Sequence, residues 1–160
     1  MNRAELIASF ANGANKIRDA IKDIPEEAYD FKPSPNVWSI RQIIIHMPDS
    51  EASGFVRARK IIAQSGVAVD VYDQDLWADR LPNEHRNIDL SLALFDLMRK
   101  ATAEMLLHVD EEAWDGNFVM HPEEGKMTLT VWLEDYEHHV TKHVGQIRRT
   151  FEVWKEAHGR

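Results

Sequence analysis

The stretch that decides the fold is residues 129–157, LTVWLEDYEHHVTKHVGQIRRTFEVWKEA. Its apolar residues recur at three- and four-residue steps, the period of an amphipathic α-helix. One stripe contains Leu129, Trp132, Tyr136, Val140, Ile147 and Trp154. His139 and His143 lie near the middle of this stripe, whereas His138 points to almost the opposite side. The segment therefore predicts a long helix with two imidazoles on its core-facing side.

Three further segments have the same helical period. The first covers residues 4–24, and the third runs from an expected N-cap at Asp89 to Val109. The second begins after Ser39, which with Gln42 forms a capping-box pattern, and continues to about residue 64. These spans make up well over half of the 160 residues. We therefore expect an all-α protein, with residues 1–160 forming a single four-helix bundle domain.

Two of the expected connections are long. Residues 66–87 predict a loop with a short helical turn that folds over the bundle. Residues 110–126 interrupt the third helical pattern, and the PEEG tip predicts either a small hairpin or a simple turn. Pro48 lies inside the second helix, where proline removes a backbone hydrogen bond and favours a kink. The kink would fall two residues after His46.

Composition excludes several classes of function. The 27 acidic side chains outnumber the 19 Lys and Arg, and the formal net charge of -8 disfavours binding to nucleic acid. The chain has no cysteine, so any thiol chemistry needs a thiol from outside. No segment has the roughly 18 apolar residues of a membrane span, and the N-terminus lacks the apolar run of a signal peptide. We therefore expect a cytoplasmic protein with no membrane partner.

The spacing of three histidines predicts a metal site. His139 and His143 are four residues apart on one helical face, so one ion could reach both. His46 lies on the flank of the second helix and is the natural third ligand. Three neutral imidazoles plus water would form an open site of the catalytic type. The alternative is a pair of core-edge histidines that bond only to their neighbours.

Other polar residues have ordinary interpretations. We expect four histidines to be surface residues, namely His85, His108, His121 and His158. The Arg148–Arg149 pair is expected to interact with the C-terminal dipole of the last helix rather than to bind an anion. The tryptophans and methionines are expected to belong to the core.

Three motifs together resemble the DinB/YfiT-like superfamily of metal-binding four-helix bundles. Trp38-Ser39-Ile40-Arg41-Gln42-Ile43 followed by His46 is similar to the family's second helix. Val71-Tyr72-Asp73-Gln74-Asp75-Leu76-Trp77-Ala78 resembles a loop of one branch. Thr128-Leu129-Thr130-Val131-Trp132-Leu133, with His139, His143 and Gln146-Ile147, is similar to the last helix. Pro48 departs from the family pattern and leaves the direction of the His46 side chain open.

The resemblance implies a divalent metal, zinc or nickel, bound by His46, His139 and His143. It also implies that a small-molecule substrate would lie against an aromatic wall of Trp38, Tyr72 or Trp77. Gln146 would support the site or line its pocket.

Some branches of the superfamily transfer low-molecular-weight thiols. We therefore expect a thiol S-transferase that uses an external thiol as cosubstrate. The alternatives are a metal-dependent hydrolase and a non-catalytic metal-binding protein of the stress response. A homodimer is a further expectation, because related bundles often pair.

Overall fold

The structure is a computed structural model, and it describes residues 1–159. Within this range, helices predominate and two short strands form a hairpin. The elements in chain order are α1 (Arg3–Ala11), α2 (Gly13–Ile21), α3 (Ile40–Ala63), α4 (Gln74–Arg80), α5 (Ile88–Leu106), α6 (Glu111–Gly116), β1 (Phe118–His121), β2 (Gly125–Thr128) and α7 (Leu129–Ala157). Single 3-10 turns occupy Glu26–Ala28 and Asn83–His85.

The bundle has four helical segments, which we call rods. Helices α1 and α2 together form the first rod, and α3, α5 and α7 form the other three. The all-α, four-helix class predicted from the sequence is confirmed, because the buried apolar side chains lie between these rods. At one end, the core includes Phe10 and Trp132, whose ring centroids are 5.3 Å apart. At the other end, it includes Ile44, Phe95 and Ile147.

The neighbouring helices α3 and α5 run parallel. Asp49 of α3 pairs with Arg86 just before α5, and Arg59, further along α3, donates to Thr102 near the end of α5. In contrast, α3 and α7 run antiparallel, because His46 meets His143 whereas Gly54 meets Tyr136. A parallel pair needs a connection that returns along the bundle, and the 24 residues of α3 span about 36 Å.

Residues 64–87 make this return as a crossover that contains α4. The crossover is attached to the hairpin, since Gly66 N–H donates to the Phe118 carbonyl at 2.7 Å. Val69 N–H donates in the same way to the Met120 carbonyl at 3.1 Å. The short helical turn expected here is α4, so that prediction is confirmed. Because the crossover returns along the bundle, its side chains can cover the N-terminal part of α3, where Tyr72 contacts His46.

The second long connection contains α6 and the hairpin. Strands β1 and β2 pair antiparallel from Phe118–Thr128 to His121–Gly125. Gly125 has a φ of 76°, a conformation that favours glycine at the turn. Of the two expected alternatives, the hairpin is therefore the observed one, and α6 was not predicted.

Two local predictions need correction. The expected helix over residues 4–24 is two helices that meet at Asn12-Gly13, a pair with low helix propensity. The cap of α5 is Asn87 rather than Asp89, because the Asn87 side chain accepts a hydrogen bond from Leu90 N–H. The second helix was predicted to run to about residue 64 with Pro48 inside it, and α3 does continue through Pro48 to Ala63.

A buried ion pair joins all four rods. The Arg99 guanidinium of α5 donates to the Glu51 carboxylate of α3 at 2.7 Å, and neither side chain is exposed. Arg99 also donates to the carbonyl oxygens of Phe10 in α1 and Tyr136 in α7. Gly13 leaves space for it, because a Cβ there would lie 2.6 Å from Arg99 Nη1.

The helices within residues 1–159 are all too short or too polar to cross a bilayer.

Candidate metal centre

The capped start of α3 and the long helix α7 position three histidines. Ser39 and Gln42 form the predicted capping box, and His46 follows about two turns later. His139 and His143 are one turn apart on α7. His46 and His143 are buried, with 3% and 4% of their surface exposed, whereas His139 is half-buried. The structure thus brings together the three residues of the predicted metal site from two antiparallel helices.

The three Nε2 atoms converge. His139 Nε2 lies 3.1 Å from His46 Nε2 and 2.9 Å from His143 Nε2. One ligand atom from each histidine lies within 4.8 Å of the other two. In a tetrahedral site with metal–nitrogen distances of about 2.0–2.1 Å, the ligand nitrogens lie about 3.3 Å apart. The donor set therefore fits a divalent metal with three imidazole ligands.

Hydrogen bonds to the opposite ring nitrogens hold two of these imidazoles. His143 Nδ1–H donates to the amide oxygen of Gln146 at 3.0 Å, which leaves the Nε2 lone pair free. His46 Nδ1 and the Tyr72 hydroxyl are hydrogen-bonded at 3.1 Å. With the proton on Nδ1, the Nε2 lone pair of His46 is also free. Such partners fix the orientation of ligand histidines and increase metal affinity.

Aromatic rings surround the cluster. The Trp38 indole lies parallel to the His143 ring, at 3° and 6.2 Å, and packs edge-on against His46 at 4.9 Å. Tyr72 lies over His46 on the crossover side. Trp77 packs on Tyr72 at 5.0 Å and is 42% exposed, so it supports the wall from outside.

All three imidazoles are held neutral. Burial lowers the pKa of His46 to about 3, that of His139 to about 2 and that of His143 to about 4. The positive charge of Lys142 lowers each of these pKa values further. Burial raises the pKa of Tyr72, so its hydroxyl stays protonated. Neutral imidazole is the form that binds a metal, so the cluster is ready to bind one at neutral pH.

Two clefts open on different sides of the cluster. The first, which we call the basic cleft, has a volume of about 510 Å³ and includes His143 with Trp38, Lys142, Gln146 and Arg149. The second, which we call the polar cleft, has a volume of about 600 Å³ and includes His139 with Arg57, Tyr72, His121 and Tyr136. Gln74 of the crossover lines both clefts. Small molecules can therefore approach the histidines from two directions.

His121 was missed by the sequence analysis. It was expected at the surface but is only 7% exposed, because β1 turns it towards the polar cleft. Its Nδ1 accepts hydrogen bonds from the backbone N–H groups of Glu123 and Glu124, both at 3.3 Å. The ring proton is therefore on Nε2. The only sequence signal was its position beside a turn, which does not reveal burial.

Arg57 and the Asp49–Arg86 pair also escaped the sequence analysis. Arg57 donates to the Asp70 carbonyl at 2.9 Å and to the Tyr136 hydroxyl at 3.4 Å, so it ties the crossover to the bundle. Arg86 forms two hydrogen bonds to Asp49, at 2.6 and 2.8 Å. These contacts depend on the path of the crossover, which a helical period does not describe.

Comparison with known proteins is consistent with this geometry. Residues 10–147 match the family described as the DinB superfamily. A relative from Bacillus cereus strain B4264, named "Putative metal-dependent hydrolase", is 27% identical over 133 residues, covering 83% of this chain and 76% of the relative. A relative from Bacillus mycoides strain KBAB4 has the same description and is 26% identical over the same shares.

A solved structure shares the fold. YfiT from Bacillus subtilis, described as "a probable metal-dependent hydrolase with an unusual four-helix bundle topology", superposes with a TM-score of 0.85. The two chains are 19% identical, and the alignment covers 97% of this chain and 86% of YfiT.

Proposed function

The chain belongs to the DinB superfamily, and from this premise we propose that it is a metal-dependent hydrolase of small molecules. The observation that carries the proposal is the convergence of three buried, neutral Nε2 atoms from His46, His139 and His143. The names of the relatives and the donor set support a metal-dependent function. Zinc or nickel is the proposed ion, because both accept imidazole ligands.

The residues around the cluster have distinct roles in this proposal. His46, His139 and His143 hold the ion, and Tyr72 and Gln146 orient two of the rings. A divalent ion held there would act as a Lewis acid and would lower the pKa of bound water, which is the chemistry that hydrolysis needs. Trp38 and Tyr72 cover two sides of the cluster and exclude bulk water there.

The polar cleft is the proposed approach for the scissile group, because the half-buried His139 lines it. The lining of this cleft also contains His121, whose Nε2–H has no hydrogen-bond partner within residues 1–159. This N–H can donate to a carbonyl oxygen or to a leaving group in the cleft. His121 is therefore the proposed donor residue of the reaction.

Thiol transfer is the second candidate, and the two-cleft arrangement favours it. A hydrolase needs one organic substrate, whereas a transferase must bring two molecules to one centre. The basic and polar clefts meet the cluster through different histidines, His143 and His139. Since the chain has no cysteine, the thiol would be an external low-molecular-weight cosubstrate.

Product mass separates the candidates. Zinc- or nickel-loaded protein would be incubated in ¹⁸O-labelled water with small esters, amides and alkyl halides, with and without added thiol. Incorporation of ¹⁸O supports hydrolysis, whereas a thiol adduct supports transfer. His139→Ala should abolish turnover and His138→Ala should retain it. Turnover no greater than in the metal-free control would contradict both enzyme proposals and favour a non-catalytic metal-binding protein of the stress response.

A further inference from the structure

The lining of the basic cleft has a net positive charge, although the net charge of the whole chain is negative. The formal net charge is -8, yet the lining of this cleft contains the cations Lys142 and Arg149. Its one carboxylate comes from Asp75, at the exposed start of α4. The lining thus has an excess of one positive charge. Arg149 belongs to the pair that the sequence analysis assigned to the helix dipole.

Within residues 1–159, the two cations have no partner of opposite charge. Neither forms an ion pair with any of residues 1–159. Lys142, Gln146 and Arg149 follow one another at four- and three-residue steps, so they share one face of α7. Both cations are therefore available to an anion in the cleft.

A flat apolar wall lies beside these cations. The Trp38 indole lines the cleft parallel to the His143 ring, and Pro33 and Val37 extend the apolar surface. Thr150, which is 2% exposed, and Asn36 add neutral polar groups. A guanidinium, an ammonium and an aromatic face together suit a planar molecule with a negatively charged oxygen group.

We propose that the basic cleft binds the carboxylate of a planar, monoanionic small molecule, which is the substrate or cosubstrate of the metal centre. Lys142 and Arg149 would bind the carboxylate, and Trp38 would pack on the planar body. The single excess positive charge favours a monoanion over a phosphate dianion. The inference deepens the proposed function and rests on it for the statement that the bound anion reacts.

Calorimetric titration with three probes tests the proposal. Benzoate, benzamide and phenyl phosphate share a planar ring and differ in charge. We expect the zinc-loaded and the metal-free protein both to bind benzoate about tenfold more tightly than benzamide, and more tightly than phenyl phosphate. Equal affinity for benzoate and benzamide, or no benzoate binding at millimolar concentration, would overturn the proposal. Tighter binding of phenyl phosphate than of benzoate would also overturn it, because the cleft would then prefer a phosphate group to a carboxylate.

Neighbouring arginines provide a matched control. Arg149→Gln should weaken benzoate binding about tenfold and leave benzamide binding unchanged. Arg148→Gln removes the same charge from the same turn of α7, but Arg148 does not line the cleft, so its effect should stay below twofold. Lys142→Gln should act like Arg149→Gln. If the two arginine variants weaken benzoate binding equally, the binding depends only on the overall charge of the protein, and a specific site is contradicted.

The two proposals can fail separately. If benzoate binds only when zinc is present, and its affinity is unchanged by Arg149→Gln, the carboxylate is a metal ligand. The inference about the basic cleft is then wrong, but the proposed metal centre is supported. If the protein neither retains metal nor turns over substrate, but benzoate selectivity still depends on Arg149, the cleft stands and the proposed hydrolase does not.

Discussion

At the residue scale, the site depends on groups that touch the histidines from outside. Tyr72→Phe keeps the ring that packs on His46 and Trp77 but removes the hydroxyl bonded to His46 Nδ1. We expect zinc affinity to fall about 10- to 100-fold, as for other partners of ligand histidines. Competition with a chromophoric chelator measures this change. Trp77→Phe, which leaves the hydrogen bond intact, is the control, and an unchanged affinity in Tyr72→Phe would argue against the role of the hydroxyl.

The low pKa values of the three histidines predict an acid-sensitive metal-free protein. Burial lowers these pKa values to between about 2 and about 4 in the folded state, whereas the unfolded chain titrates near 6.5. Below pH 6.5 the unfolded state therefore binds more protons, and the free energy of unfolding falls with decreasing pH. Three such groups lower it by roughly 4 kcal/mol between pH 7.5 and pH 5.5.

Urea unfolding of metal-free protein at these two pH values measures the effect. Most carboxylates titrate below this range, so the histidines dominate the difference. His139→Ala, which removes the histidine with the lowest pKa, should show a smaller difference. Equal stability of the parent protein at both pH values would contradict the assignment of neutral, buried imidazoles.

Sequence analysis found the histidines of the site but not their surroundings. Helical spacing placed His139 and His143 on one face, and the capping box at Ser39 fixed the start of the helix that carries His46. Both are local properties of a helix. In contrast, the burial of His121 and the contact between Tyr72 and His46 depend on how loops fold back in three dimensions.

At the element scale, close contact between α3 and α7 brings His46 to the other two ligands. Gly54 permits this contact, because a Cβ there would lie 2.2 Å from Cε1 of Tyr136. Gly54→Ala should therefore destabilise the fold by about 1–3 kcal/mol, although alanine favours helix by about 1 kcal/mol. It should also weaken zinc binding, because the two helices must separate.

Urea unfolding and zinc titration check this expectation. Gly116→Ala is the matched control, since a Cβ at that helical position meets nothing within 4 Å. That variant should be neutral or slightly stabilising. A Gly54→Ala protein as stable as Gly116→Ala would show that the close contact does not determine the distance between α3 and α7.

At the scale of the whole molecule, Arg99 links the four rods. Its removal leaves Glu51 buried without its partner, and Glu51 Oε1 already has no hydrogen bond within residues 1–159. Arg99→Met should cost about 3–5 kcal/mol of stability, and the double variant Glu51→Gln/Arg99→Met should recover part of this loss. Lys100→Met, which breaks an exposed pair with Asp96, should cost at most about 1 kcal/mol.

Equilibrium unfolding of the parent protein and of these three variants gives the values. An Arg99→Met variant no less stable than Lys100→Met would mean that the buried pair does not hold the bundle together.

The order and direction of the rods could not be predicted from the sequence. Apolar period identified four helical segments and the long connections, because that period depends only on neighbours along the chain. The parallel arrangement of α3 and α5 depends on contacts such as Asp49–Arg86 and Arg59–Thr102, between residues 37 and 43 positions apart. The same arrangement carries the crossover past His46, so the topology also builds one wall of the site.

The metal content of the protein tests the central claim most directly. Tag-free protein would be loaded with zinc, passed through a desalting column and measured by elemental analysis. We expect one zinc per chain in the parent and in His138→Ala, whose imidazole points away from the cluster, and none in His139→Ala. No bound zinc in the parent, or equal content in the His138 and His139 variants, would contradict a metal centre formed by His46, His139 and His143.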